Sequence, residues 1–304
     1  MTTKLSVNIG RLRLKNPVMV ASGTFGYAQE FKDLLDLKKL GAIVTKTITL
    51  KPRKGNPTPR TCETPSGLLN SIGLENPGVE AFIKEKLPFL KKLAVPIIIS
   101  IASEGRAEEF LILAKRLDKI REIAALELNI SCPNIKSHKL ISQDPGATYD
   151  LVRAVRKITA KTIITKLSPN VTDITEIAQA AQDGGSDAVS LVNTLTGMSI
   201  DVEKKRPKIA TLTAGLSGPA IRPVAVRMVW ETYNRVKIPI IGMGGIMNCQ
   251  DALEFFIAGA TAVSLGTANF VNPRVAIEVT AGLKDYLLRH KIKDISLLKG
   301  ALKR

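Results

Sequence analysis

The stretch over residues 126–136 carries residue types that could do chemistry. An apolar run ends there in polar residues, and one thiol, Cys132, stands between the amide side chains of Asn129 and Asn134. Pro133 stiffens the backbone beside the sulfur, and both amides can donate and accept hydrogen bonds. Two interpretations stay open from this stretch alone. Cys132 is a nucleophile or base on a loop, or it is an inert cysteine at the end of a strand.

Two lysines stand at the ends of runs otherwise built from Ile, Val and Thr. These are Lys46 and Lys166. An ammonium group in such surroundings is costly to bury without an anionic partner, so each lysine predicts a contact with a negatively charged ligand. A lysine whose ammonium simply reaches solvent at the rim of the fold is the alternative.

Glycine clusters follow two later apolar runs. Gly242-Met-Gly-Gly245 and Gly266-Thr267 would present bare backbone N–H groups, which bind phosphate well at this place in a barrel. Tight turns without a ligand would use the same residues. Because the dinucleotide fingerprint G-x-G-x-x-G is absent, a mononucleotide such as FMN suits the clusters better than NAD.

Short β-branched runs alternate with longer stretches of helical periodicity, after a hairpin predicted across residues 4–14. The predicted strands are Pro17–Ala21, Ala42–Thr49, Pro96–Ala102, Ala124–Ile130, Thr162–Leu167, Ala188–Val192, Pro239–Met243 and Ala262–Leu265. The predicted helices lie near residues 28–39, 77–93, 105–120, 147–158, 173–183, 220–236, 249–258 and 273–289.

This alternation predicts an α/β fold, a single (β/α)8 barrel rather than an open doubly wound sheet. We expect one FMN-binding domain over residues 1–304, with long inserted loops after strands 2, 4 and 6. Two of these connections, residues 50–76 and 193–219, are too long to be simple turns, and such loops are usually functional. In this fold the site lies at the carboxyl ends of the strands, where the polar residues noted above would converge.

Composition narrows the function classes. The net charge of +17 favours anionic ligands or partners. Nucleic acid is disfavoured, because the basic residues are dispersed and aromatic residues make up only 4% of the chain. The three cysteines are widely spaced, which argues against a local metal or iron–sulfur site. The sequence lacks a long apolar run and a signal peptide, so a cytoplasmic protein with no membrane contact is expected.

Several motifs in order resemble one enzyme family. They are Thr45-Lys-Thr-Ile-Thr49, Asn70-Ser-Ile-Gly-Leu-Glu-Asn-Pro77, Asn129-Ile-Ser-Cys-Pro-Asn134, Lys166-Leu-Ser-Pro-Asn170, Gly215-Leu-Ser-Gly-Pro-Ala-Ile221 and Gly242-Met-Gly-Gly-Ile246. Together they are similar to dihydroorotate dehydrogenase of class 1. The opening Ala21-Ser-Gly-Thr-Phe-Gly26 and the cysteine resemble the NAD-linked B type more than the fumarate-linked A type.

The resemblance implies oxidation of (S)-dihydroorotate to orotate in pyrimidine synthesis. FMN would accept the hydride, and Cys132 would be the general base. Electrons would then pass to NAD through a partner subunit that carries FAD and an iron–sulfur cluster. That partner would bind a homodimer of catalytic chains, giving a heterotetramer. No metal site is expected in this chain.

The resemblance also implies which residues hold each ligand. The residues expected at the substrate are Lys46, Asn70, Gly73, Leu74, Asn129, Asn134, Asn193 and Thr194. The residues expected at FMN are Ala21, Gly23, Lys46, Thr47, Asn129, Lys166, Gly218, Gly244, Gly245, Gly266 and Thr267.

Two departures and two alternatives accompany this assignment. Residues 137–142 replace a Gly-Gly pair usual in the family, and Ser100 stands where the family usually has Asn.

A dihydropyrimidine (uracil) dehydrogenase module shares the barrel, FMN and loop cysteine, and substrate choice would separate it from the first assignment. A tRNA dihydrouridine synthase-like enzyme would fit the positive charge, but it would need an RNA-binding extension.

Overall fold

The computed structural model describes residues 3–130 and 140–303. Its strands are β1 (Val7–Ile9), β2 (Leu12–Leu14), β3 (Val18–Val20), β4 (Ala42–Val44), β5 (Thr61–Thr64), β6 (Gly67–Asn70), β7 (Ile97–Ile101), β8 (Ile123–Asn129), β9 (Thr162–Lys166), β10 (Ala188–Leu191), β11 (Leu195–Gly197), β12 (Ile200–Asp201), β13 (Arg206–Pro207), β14 (Ala214–Ser217), β15 (Ile240–Met243) and β16 (Ala262–Leu265). Eight of them close into a parallel barrel in the order β10-β15-β16-β3-β4-β7-β8-β9. The predicted (β/α)8 barrel is therefore confirmed.

The second barrel strand is shorter than predicted. It was expected over residues 42–49, but β4 ends at Val44. Beyond that point the backbone N–H of Lys46 donates to the carbonyl of Gly26 instead of continuing the ladder, and Ile48 rejoins it through one bridge to Ile101. The kink leaves Lys46 at the mouth of the barrel. That residues 1–304 form one domain stays a prediction.

Helices cover the outside of the barrel. They are α1 (Gly78–Ala81), α2 (Leu87–Leu90), α3 (Ala107–Asp118), α4 (Pro145–Arg156), α5 (Ile174–Asp183), α6 (Arg222–Arg235), α7 (Cys249–Ala258), α8 (Ala268–Val271) and α9 (Val275–Arg289). A π-helical turn, Phe82–Lys86, joins α1 to α2, so the helix predicted near 77–93 is continuous. Among the described residues, no helix is long and apolar enough to cross a membrane.

The helix predicted near residues 28–39 is wrong. That segment contains only two 3₁₀ turns, Gln29–Phe31 and Leu37–Lys39. The Glu30 side chain accepts from the N–H of Tyr27, and the Asp36 side chain accepts from the N–H of Lys38. Such local side-chain bonds compete with the helical ladder and confine each turn to a few residues.

The predicted N-terminal hairpin is confirmed and closes the amino-terminal end of the barrel. Strands β1 and β2 pair antiparallel. A Cβ on Gly10, in their turn, would lie 2.6 Å from Cβ of Asp187, the residue just before β10. The guanidinium of Arg11 donates to the carbonyl of Ala160 at 3.2 Å, just before β9. The carboxyl ends of the strands at the opposite face are left for ligands.

The two longest predicted loops pair with each other. The insertion after β4 contributes β5 and β6, and the one after β10 contributes β11 and β14. These strands form one antiparallel sheet in the order β11-β14-β6-β5, which we call the capping sheet. Sequence reasoning missed this sheet, because its strands are short and its central pair, β6 and β14, joins residues about 145 positions apart. The insertion expected after the fourth barrel strand lies mostly outside the described residues.

The strand register stacks inward-pointing side chains in layers of four from alternate strands, as barrels of this class require. From the mouth downward the layers are Lys46, Asn129, Val192, Gly266; Ala21, Ser100, Lys166, Met243; Val44, Glu127, Ser190, Ser264; Met19, Ile98, Ile164, Ile241; and Ala42, Ala125, Ala188, Ala262. Polar groups are concentrated in the upper three layers. The lower two are wholly apolar.

The third layer contains a buried carboxyl group. Glu127 is 2% exposed, and its Oε2 accepts from Oγ of Ser190 at 3.3 Å. Its Oε1, like Oγ of Ser264 in the same layer, has no hydrogen-bond partner in the described part of the chain. Burial of unpartnered polar atoms opposes folding, so the two serines of this layer should differ in their contribution to stability.

We predict that Ser264→Ala leaves the free energy of unfolding unchanged or raises it by up to ~1 kcal/mol, because it removes a buried hydroxyl that has no partner. Ser190→Ala should lower it by about 1–3 kcal/mol, because Glu127 loses its donor. Urea unfolding followed by circular dichroism measures both. A larger loss in Ser264→Ala than in Ser190→Ala would contradict this account of the layer.

Candidate active site

An open cavity of about 1340 Å³ lies at the carboxyl ends of the barrel strands, between them and the capping sheet. Every site residue predicted from the sequence that the structure describes lines it. These residues are Ala21, Gly23, Lys46, Thr47, Asn70, Gly73, Leu74, Asn129, Lys166, Asn193, Thr194, Gly218, Gly244, Gly245, Gly266 and Thr267. The predicted catalytic Cys132 and the substrate residue Asn134 lie outside the described residues.

Two lysines place positive charge in the cavity wall. Lys166 ends β9, is 5% exposed, and donates from Nζ to Oγ of Ser22 at 3.1 Å. Lys46 lies just after β4, and its pKa is lowered below the usual value for lysine. Burial is the largest cause, and the negative charge of Glu75 opposes it. Both ammonium groups lie where an anionic ligand would compensate for their burial.

A chain of hydrogen bonds fixes Asn129 from below. Its Nδ2 donates to Oγ1 of Thr47 at 3.1 Å, and that oxygen lies 2.9 Å from Oγ of Ser100. All three side chains are buried. Ser100 does not line the cavity but supports Thr47, which does. Thus the position where the family usually has Asn holds a supporting hydroxyl in this chain.

The backbone at Thr194 and Thr196 is held by the side chain of Asn170. The Nδ2 of Asn170 donates to the carbonyl of Thr194 at 3.0 Å, and its Oδ1 accepts from the N–H of Thr196 at 2.9 Å. Asn193 Oδ1 accepts from the N–H of Thr194 at 2.8 Å. The motif that ends in Asn170 was noted in the sequence. Its positioning role was not, because it depends on a segment 24 residues away.

The capping sheet positions the remaining predicted substrate residues. Asn70 ends β6, and its Nδ2 donates to the carbonyl of Gly215 in β14 at 3.3 Å. Gly73 and Leu74 follow in a turn with positive φ, 73° and 56°. A Cβ on Gly73 would lie 2.6 Å from the backbone nitrogen of Asn56, so the backbone can take this path only with glycine there.

Glycines form a backbone cradle where the end of β14 meets the loop after β15. Gly218, Gly244 and Gly245 have φ of 91°, 124° and 74°, in the region that favours glycine. A Cβ on Gly245 would lie 2.8 Å from the carbonyl oxygen of Gly218, so the two loops meet backbone to backbone. Beside them, Oγ1 of Thr267 donates to Oγ of Ser217 at 2.8 Å. Such a concave run of amides suits an anion.

A family model described as dihydroorotate dehydrogenase matches residues 4–287 of the chain. The chain belongs to the dihydroorotate dehydrogenase family. Among its relatives is a protein of Trichlorobacter lovleyi, 56% identical over 99% of both chains. Proteins of Geotalea uraniireducens and Geobacter sulfurreducens are each 54% identical over 98% of both chains. All three are named dihydroorotate dehydrogenase B (NAD(+)), catalytic subunit. The resemblance to class 1, B type is confirmed.

The cavity wall of this dihydroorotate dehydrogenase family member also includes residues that the sequence prediction missed. They are Ser22, Thr24, Thr61, Leu68, Ile72, Glu75, Val192, Ser217, Ile221, Met243, Ile246, Met247, Ala268 and Phe270. Ser22 lies two residues after β3, so the strand-end rule marks it, although the family resemblance did not assign it a ligand. No comparable sequence signal marks Thr61 or Leu68, because they reach the cavity through the capping sheet. Among the described residues, no cluster of His, Cys, Asp and Glu could hold a metal ion.

We predict that Gly245→Ala lowers the free energy of unfolding by at least ~1 kcal/mol, because its φ is left-handed and its new methyl group would meet backbone. Gly266→Ala is the matched control in the same cradle. A Cβ there would have its nearest neighbour, Cβ of Ala21, at 3.8 Å, so we expect a change within about 0.5 kcal/mol. Urea unfolding of both variants measures the difference. Equal losses would contradict the strained geometry assigned to Gly245.

Proposed function

We propose that this chain oxidises (S)-dihydroorotate to orotate in pyrimidine (UMP) biosynthesis, with FMN as the immediate hydride acceptor. The observation that carries the proposal is the ring of amide and ammonium groups around one cavity, formed by Lys46, Asn70, Asn129, Lys166 and Asn193. Amides match the donor and acceptor edge of a pyrimidine, and an ammonium matches its carboxylate. The names of the relatives agree with this assignment.

The residues present fit FMN. All of the residues expected at FMN line the same open cavity. Gly218, Gly244 and Gly245 would hold the phosphate through backbone N–H groups, with Gly266 and Thr267 beside them. Ala21, Gly23, Thr47 and Asn129 would contact the flavin from the strand ends. Bound FMN supplies the two-electron acceptor that takes a hydride from C6 of the substrate.

Lys166 and Lys46 would play different electrostatic roles. Lys166, fixed by Ser22, would lie near the pyrimidine end of the flavin and stabilise negative charge that develops there on reduction. Lys46 would pair with the substrate carboxylate and also touch the flavin. Asn70, Asn129 and Asn193, with Thr194 and the backbone of Gly73 and Leu74, would hold the ring amides. These contacts would fix C6 at hydride-transfer distance.

Cys132 would be the general base that removes the proton from C5 of dihydroorotate as the hydride leaves C6. This role and the substrate contact of Asn134 rest on the sequence motif and the family. The dihydropyrimidine dehydrogenase alternative uses the same barrel and base. The ammonium group of Lys46 favours a carboxylated ring over dihydrouracil.

Electron exit would require a partner. The named relatives are catalytic subunits, which implies at least one further subunit in their assemblies. We propose that the corresponding partner of this chain carries FAD and an iron–sulfur cluster, reduces NAD, and binds a homodimer of catalytic chains in a heterotetramer. The cytoplasmic location and the absence of nucleic-acid and membrane contacts expected from the sequence stay predictions.

Anaerobic mixing of the FMN-loaded chain with dihydroorotate tests the function. We predict that flavin absorbance bleaches with dihydroorotate but not with dihydrouracil, and that fumarate restores it slowly. Cys132→Ser should bind both ligands but reduce the flavin at least ~10²-fold more slowly at neutral pH, because serine is a weaker base. Bleaching by dihydrouracil alone would favour the alternative enzyme, and rapid reoxidation by fumarate would exclude the B type.

We predict that orotate affinity falls with rising pH before an ordinary lysine would lose its proton. The pKa of Lys46 is lowered by burial, so its charge is present below that lowered pKa and lost above it. Above the lowered pKa, affinity should fall by up to about tenfold per pH unit, relative to Lys46→Arg, which stays charged. Titrations followed by flavin absorbance across pH measure this ratio.

Glu75→Gln sharpens the same experiment. Glu75 raises the pKa of Lys46, so its removal should move the loss of affinity to lower pH. Any titration of orotate itself cancels in the ratio to Lys46→Arg. A ratio that is constant from pH 6 to about 10 would show that the charge of Lys46 does not hold the carboxylate.

A further inference from the structure

Two loops that form the glycine cradle come from different parts of the chain. One runs through Gly218 into α6, and the other, residues 244–247, connects β15 to α7. Both loops line the cavity. They are not paired strands, so no ladder of backbone hydrogen bonds joins them. Their mutual position therefore depends on side chains behind the cradle.

Asp251 bridges the two loops from behind. It lies in the first turn of α7, is 4% exposed, and does not line the cavity. Its Oδ1 accepts from the guanidinium of Arg222, the first residue of α6. Its Oδ2 accepts from the N–H of Met247 at 2.8 Å, in the second loop. One carboxylate thus holds one group from each half of the cradle.

The approach of the two loops is close. A Cβ on Gly245 would lie 2.8 Å from Cβ of Arg222 and 3.1 Å from its backbone nitrogen. At this distance a small shift of Arg222 would change the direction of the amides at Gly244 and Gly245. Hydrogen bonds to a group that bears negative charge depend steeply on such directions.

We propose that Asp251, through Arg222 and Met247, is a positioning residue that sets the cradle for the phosphate of FMN. The proposal rests on the FMN binding proposed above. Asp251 does not line the cavity, so it would act on the phosphate end of the ligand only through Arg222 and Met247.

The test compares two flavins that differ only in the phosphate. FMN and riboflavin are titrated into the apoprotein, and quenching of flavin fluorescence gives both dissociation constants. We predict that Asp251→Asn weakens FMN binding about tenfold, the loss expected for a disturbed charge-assisted hydrogen bond. Riboflavin binding should change less than about twofold, since the ring contacts are left intact.

A matched control and a second variant complete the design. Glu254 approaches Nε of the same arginine at 3.7 Å from a half-exposed position, so Glu254→Gln should leave both dissociation constants near wild type. Arg222→Gln breaks the bridge from its other end and should reproduce the selective loss of FMN affinity. If Asp251→Asn does not fold, Arg222→Gln alone tests the positioning role.

The outcomes are distinct. An equal loss for both flavins, or no loss of FMN affinity, overturns the positioning role. Tighter FMN binding in Asp251→Asn would also overturn it, because a released Arg222 would then be reaching the phosphate directly. If the wild-type chain binds neither flavin, the proposed function itself fails and the positioning role falls with it.

Discussion

Closure of the parallel barrel is the constraint on which the rest of the structure depends. Once eight strands share one register, every second side chain points inward, and alternate strands contribute to one layer. The mouth layer then receives Asn129, and the layer beneath it receives Lys166 and Ser100. Lys46 reaches the mouth through the kink after β4. Residues as far apart in the chain as Val44 and Ser264 then share one layer. The strand register therefore brings the residues at the strand ends together, and side-chain hydrogen bonds then fix their orientation.

Polarity changes along the barrel axis for a physical reason. The amino-terminal end is covered by the hairpin and filled by small apolar side chains, so it excludes water and stabilises the fold. The carboxyl end carries ammonium, amide and hydroxyl groups, which would oppose folding if they lacked partners. There, Thr47, Ser22 and Asn170 supply hydrogen bonds that fix these groups. A polar mouth held in place by hydrogen bonds thus lies above an apolar base.

The capping sheet adds a second wall that the barrel alone could not provide. Its strands come from two insertions, and antiparallel pairing of β6 with β14 brings Asn70 beside Gly215. Gly218 directly follows β14, so this one strand leads from the carbonyl of Gly215, which Asn70 contacts, to the glycine cradle. Behind this cradle, the carboxylate of Asp251 accepts hydrogen bonds from Arg222 and from the N–H of Met247.

The sequence by itself determined the eight barrel strands, most of the helices and the residues at the strand ends, because local periodicity and strand termini are local properties. It assigned Lys46, Asn129, Lys166 and the cradle glycines to one site through the barrel rule and the family motifs. It overextended β4 and predicted a helix over 28–39, where side chains such as Asp36 bond to the backbone instead. Only the tertiary structure decided the capping sheet, the support of Asn129 by Thr47 and Ser100, and the bridge at Asp251. Those features join segments far apart in the chain, and no local pattern encodes such pairings.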